Sequence, residues 1–136
     1  MNRVSGPLLD RIDIHIEVPP VDYTDLSATS PGQSTAEIRE HVLPARNIQA
    51  ERFAKSKIRY NADMSHRQVV QHCKLSEQGH NILRTAMEDF GLSARAHDKI
   101  LRIARTIADL ESSPTIAPMH LFEAITYRTL DRKLWT

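Results

Sequence analysis

The chain has 136 residues, of which 40% are hydrophobic and 26% charged, with a formal net charge of +1. That length suits one domain with a modest core, and the near-zero charge excludes a uniformly basic, histone-like surface. A single cysteine, Cys73, excludes an internal disulfide framework and fits a reducing, cytoplasmic setting.

No apolar run approaches the ~20 residues of a membrane span, and nothing resembles a signal peptide. Aromatic residues make up only 5%, so the core is expected to come from Leu, Ile, Val and Ala. The charge is uneven along the chain. Between residues 10 and 37, six acids face one base, Arg11; between residues 46 and 67, six bases face Glu51 and Asp63. An acidic start and a basic middle mark either a binding face or two solvated faces of opposite sign.

Met1 leads directly into Asn2-Arg3-Val4-Ser5-Gly6-Pro7, so the sequence reads as a fragment begun inside a domain. Residues 7–11 suit one short helical turn. Ile12, Ile14, Ile16 and Val18 then alternate with Asp13, His15 and Glu17, the pattern of a strand with one apolar face, ended by Pro19-Pro20. One strand cannot satisfy its own backbone groups, so it must pair elsewhere, pair with another copy, or fray. Residues 22–33, rich in Asp, Ser, Thr, Pro and Gly, read as a linker loop.

Ser34-Thr35-Ala36-Glu37 has capping-box spacing. It predicts a helix toward Lys55 that buries Ile38, Val42, Ala45 and Phe53. Pro44 falls inside it, where the missing donor and ring clash cost ~3 kcal/mol, so a kink or a junction of two helices is expected. Residues 61–64 read as a loop, and Ser65 caps a short helix through His72. Ser76 starts a helix with an apolar stripe of Ile82, Leu83, Ala86, Met87 and Phe90, closed by Gly91. Ser93 caps the next, which buries Ile100, Ala104, Ile107 and Ala108 and ends near Ser112-Ser113-Pro114. Pro118 can occupy the first turn of a last helix that buries Leu121, Phe122 and Ile125. The fold class is therefore mainly α: a helical bundle with one N-terminal β-strand.

At about 100° per residue, Arg95, Lys99 and Arg102 share a basic stripe. Arg95 stands out because a cation in the first turn opposes the helix dipole, whereas a bound anion would use both. Lys99 and Arg102 read as a solvated or subunit-facing edge. Arg11, between Asp10 and Asp13, is either a surface salt bridge or an arginine offered to a neighbouring subunit's phosphate. Arg52, Lys55, Lys57, Arg59 and Arg67 are candidate phosphate contacts for nucleic acid. No Gly-x-x-x-x-Gly-Lys-Ser/Thr loop is present, and His72, Cys73 and His80 lack paired zinc-ligand spacing. Neighbours on a helix point apart, so Cys73 reads as a buried structural thiol rather than a nucleophile with His72 as its base. Complete catalysis by this chain alone is not expected.

Five segments carry a resemblance: residues 3–14 (Arg3-Val4-Ser5-Gly6-Pro7-Leu8-Leu9-Asp10-Arg11-Ile12-Asp13-Ile14), 34–39, 91–96, 103–110 and 120–128. In this order they resemble the C-terminal part of magnesium-chelatase-like AAA+ ATPases, most nearly the ComM/YifB-type branch. The resemblance implies that residues 1–20 are a remnant of the ATPase core, 21–33 a linker and 34–136 a helical lid. It makes Arg11 an arginine finger acting in trans and Arg95 the sensor-2 arginine at the γ-phosphate. It further implies ATP and Mg2+ as cofactors of the full-length protein, with neither bound tightly by this chain, whose Walker A and B segments would lie upstream. Its expected partners are that AAA+ core, neighbouring subunits of a hexameric ring and DNA, with no membrane. ComM-type proteins are associated with DNA branch migration and natural transformation, whereas the chelatase branch inserts metal into a porphyrin. The competing readings are a stand-alone nucleic-acid-binding helical domain and the lid of a metal-chelatase motor subunit.

Overall fold

The computed structural model describes residues 6–134, with side-chain surroundings for residues 7–129. It is mainly helical: α1 (Gly6–Leu9), α2 (Tyr23–Leu26), α3 (Thr35–Arg52), a 3-10 turn (Asn61–Asp63), α4 (His66–His72), α5 (Glu77–Asp89), α6 (Ala94–Leu110) and α7 (Pro118–Leu134). Central to the bundle is α6, which packs against α7, α3, α4 and the 3-10 turn, while α5 packs on α7.

Serine starts four of the helices, each side chain taking up an amide that the first turn leaves without an acceptor. Ser34 and Ser65 form full capping boxes with Glu37 and Gln68. Ser76 accepts from the Gly79 N–H at 3.1 Å, and Ser93 from the Ala96 N–H at 3.2 Å. Gly91, just beyond α5 and its C-cap Phe90, has a φ of 54° that suits a residue without Cβ. There the Leu92 N–H reaches the Met87 carbonyl and the Gly91 N–H reaches that of Glu88, the double bond of a Schellman motif. α6 ends the same way, with Ser113 bonded to Ala108 and Ser112 to Asp109. Here Ser112, not glycine, sits at φ 54°.

Ile100, Leu121, Ala104, Ala108 and Val69 fill the centre of the core, ringed by Leu83, Ile107, Ile116 and Ile125. Gly79 allows α5 and α7 to meet, since a Cβ there would lie 3.2 Å from Leu75 Cβ and 3.3 Å from Leu121 Cδ1.

Three expectations need correction. α3 runs through Pro44 as one helix and not as two. Pro44 is exposed, so water can satisfy the carbonyl that lost its donor. Residues 34–44 are all exposed. Ile38 and Val42 therefore stay in solvent, because the bundle first reaches α3 at Ala45, then at Gln49 and Phe53. On α7, Leu121 and Ile125 are buried but Phe122 remains 53% exposed.

Among the described residues there is no strand. Residues 12–18 have no ladder partner, and Ile12, Ile14, Ile16 and Val18 are exposed. Instead the segment is strapped across the bundle. The Arg128 guanidinium donates to the Ile12 carbonyl and faces Asp10 at 3.7 Å. His15 donates its N–H to the Tyr127 carbonyl at 2.9 Å, and Asp13 pairs with Lys99 at 2.8 Å. Polar ties of this kind replace the cross-strand bonds that a sheet would have supplied. Residues 21–33 are exposed throughout, with α2 as a single turn among them.

Candidate functional site

Arg95 lies in the first turn of α6. Ser93 takes the Ala96 N–H on its hydroxyl and the His97 N–H on its carbonyl. The N–H groups of Ala94 and Arg95 are left without intrahelical acceptors, as at any helix start. The Arg95 side chain is exposed and has no hydrogen-bond or ion-pair partner among the described residues. It lines an open pocket of about 520 Å3 together with His66, Met87, Ala94, His97 and Asp98.

Asp98 explains why Arg95 is free. It sits three residues further along the helix, a spacing at which an ion pair with Arg95 would normally form. Its carboxylate is instead held by His66 Nδ1 at 2.9 Å and His97 Nδ1 at 3.0 Å. A carboxylate only accepts, so both ring nitrogens must donate. Burial pushes the Asp98 carboxyl up, but the hydrogen bonds from His97 and His66 outweigh it and hold the group below the usual aspartate value. Since His66 belongs to α4, the contact also fixes α4 against α6.

The rest of the basic stripe is spoken for. Lys99 pairs with Asp13 at 2.8 Å, and Arg102 donates to the Met64 carbonyl at 2.6 Å. Neither is the free edge expected of it. The stripe therefore reduces to one uncommitted cation, Arg95.

Arg11 follows α1, its N–H bonded to the Leu8 carbonyl. The surface salt bridge to Asp10 or Asp13 is not formed. Asp10 faces Arg128 and Asp13 binds Lys99, which leaves the exposed Arg11 guanidinium without a partner among the described residues. Arg11 is not among the residues lining the Arg95 pocket.

Of the nucleic-acid candidates, Arg52 must be withdrawn. Its two terminal nitrogens grip Asp109 at 2.7 and 2.6 Å, and one also donates to Asn61 Oδ1 at 2.8 Å. Asp109 is fully buried and also accepts from Asn61 at 2.8 Å and Arg105 at 3.1 Å. Arg105 in turn holds the Ser113 and Pro114 carbonyls beyond α6. A guanidinium so placed joins α3 to α6 and has no face to offer a phosphate. Lys55, Lys57, Arg59 and Arg67 remain exposed. Lys57 and Arg59 line a concavity with Arg46 and Tyr60, and Lys55 does not.

Cys73 is buried, and burial pushes its thiol up to about 11. It is protonated at neutral pH and inert as a nucleophile. His72 packs its ring edge-on against Phe53, with centroids 5.5 Å apart. Among the described residues, no group of three or more His, Cys, Asp or Glu side chains is placed to hold a metal ion. Nor is any helix long and apolar enough to cross a membrane. Sequence reading missed Asp98 with His66, and Asn61 with Asp109, because each pair joins residues 32 and 48 positions apart.

The family described as magnesium chelatase, subunit ChlI C-terminal, matches residues 32–128. The chain belongs to that family. It is 42% identical over 135 residues to competence protein ComM of Haemophilus influenzae and 40% identical over 135 residues to YifB of Escherichia coli. It is also 31% identical over 128 residues to protein Mb2921c of Mycobacterium bovis. These alignments cover 98%, 98% and 94% of this chain but 26%, 26% and 25% of the relatives, so the chain spans about a quarter of their length.

Proposed function

We propose that this chain is the helical lid of a larger, ring-forming AAA+ ATPase and couples nucleotide state to subunit assembly. One observation carries the reading: Arg95 is the single unpaired cation of its stripe, at a serine-capped helix start, with the nearby carboxylate engaged by two histidines. In this reading Arg95 contacts the γ-phosphate of ATP bound in the AAA+ core. The open amides of Ala94 and Arg95 and the helix dipole favour the same negative charge. Arg11, left free by its flanking acids, reaches a neighbouring subunit's nucleotide, where a planar guanidinium stabilises transferring charge.

ATP and Mg2+ belong to the core, and this chain alone holds neither tightly. Its other partners are that core and the adjoining subunits of a hexameric ring. The resemblance to the ComM-type branch, rather than to porphyrin metallation, directs the motor to DNA in the cytoplasm. Amide hydrogen exchange in the full-length protein tests the reading. Residues 94–98 should be better protected with a non-hydrolysable ATP analogue than with ADP, and identical exchange in both states would reject it.

A further inference from the structure

The turn from α3 into the 3-10 helix encloses a basic concavity of about 670 Å3, lined by Arg46, Asn47, Ser56, Lys57, Arg59 and Tyr60 among others. The Arg46 guanidinium lies 4.2 Å from the centre of the Tyr60 ring, and Tyr60 is still 43% exposed. The pair presents a cationic, aromatic surface on the lining of the hollow, beside Ala50, Phe53 and Ile58. Its cations are not consumed internally. Arg46, Lys57 and Arg59 have no ion-pair partner among the described residues, nor do Lys55 and Arg67 on either side. Four other cations, Arg52, Lys99, Arg105 and Arg128, are instead paired with aspartates. Three unpaired cations lining one hollow, with two more unpaired in the same stretch of sequence, make a surface suited to an outside polyanion.

We propose that this concavity binds single-stranded nucleic acid. Arg46, Lys57 and Arg59 neutralise backbone phosphates, Asn47 and Ser56 supply neutral hydrogen bonds, and one base stacks on the Arg46–Tyr60 pair. Phosphates alone would need only the cations. The aromatic platform selects a strand whose bases are unstacked and can lie flat on it, which neither a duplex nor an acidic peptide offers. The site stands on residues distinct from Arg11 and Arg95, and its assay contains no ATP, so it can fail or succeed independently of the nucleotide reading.

Fluorescence anisotropy of this chain with a labelled oligothymidine of about 16 nucleotides tests the proposal. Three phosphate contacts predict a log–log salt slope of about −2, and Lys57→Ala or Arg59→Ala should each make it shallower by about 0.7. Tyr60→Ala should weaken binding by about fivefold or more, with Tyr60→Phe retaining it. Arg84→Ala, an exposed cation on α5, should change nothing. Helical circular dichroism confirms that each variant is folded. Equal affinity for duplex of the same sequence, equal competition by polyglutamate of matched charge, or insensitivity to Tyr60→Ala would each overturn the proposal.

Discussion

Asp109→Asn is predicted to be among the costliest single changes in this chain. The side chain is fully buried and accepts four hydrogen bonds: two from Arg52, one from Asn61 and one from Arg105. Asn keeps the shape but removes the charge, leaving two guanidinium groups without a counter-ion. Arg105 is 5% exposed and Arg52 14%, so water can compensate little. Breaking a buried pair from one side typically costs ~3–5 kcal/mol. For a chain of this size that corresponds to a fall in melting temperature of roughly 10 °C or more. Urea unfolding followed by helical circular dichroism measures it. The companion variant Arg52→Met leaves Asp109 with Arg105, a balanced pair, and should cost clearly less. A loss below about 1 kcal/mol for Asp109→Asn, or a larger loss for Arg52→Met, would refute the counter-ion argument.

Three further outcomes are expected. Ser112→Gly should stabilise the chain by about 0.5–1 kcal/mol in the same urea assay, because the left-handed backbone there penalises a Cβ. Asp98→Asn should lower the melting temperature near pH 6 and lower it less near pH 3: a carboxyl held below its usual value adds stability above that value and loses it as pH falls through the folded one. A gap between the two proteins that is the same at both pH values would rule this out. Cys73, with its thiol pushed up to about 11, should resist a disulfide-exchange reagent in the native chain and react on unfolding, and rapid native labelling would contradict its burial.

The helices were legible because their signals are local. Ser34, Ser65, Ser76 and Ser93 each precede a helix and each does cap it, and the periodic apolar face of α6 is the one that is buried. What sequence could not supply was reach. The alternation in residues 12–18 is a genuine strand pattern, but without a neighbouring strand the segment is instead tied down by Arg128, Lys99 and the Tyr127 carbonyl. Ile38 and Val42 have helical spacing too, yet α3 outruns the bundle. At the candidate site, the dipole argument at Arg95 needs only local sequence. Its freedom from Asp98 depends on His66, on another helix, and no periodicity reveals that. Arg52 shows the opposite error, since a basic run in sequence says nothing about a buried aspartate 57 positions away.

ATP turnover by the full-length protein carrying Arg95→Ala is the most direct measurement of the central claim, that this lid senses the γ-phosphate through Arg95. Steady-state kcat should fall at least about tenfold, equivalent to ~1.4 kcal/mol of lost transition-state stabilisation, with Arg11→Ala falling further, toward the ~1000-fold typical of an arginine finger. Unchanged turnover with Arg95→Ala, in a protein that still assembles, would contradict the claim.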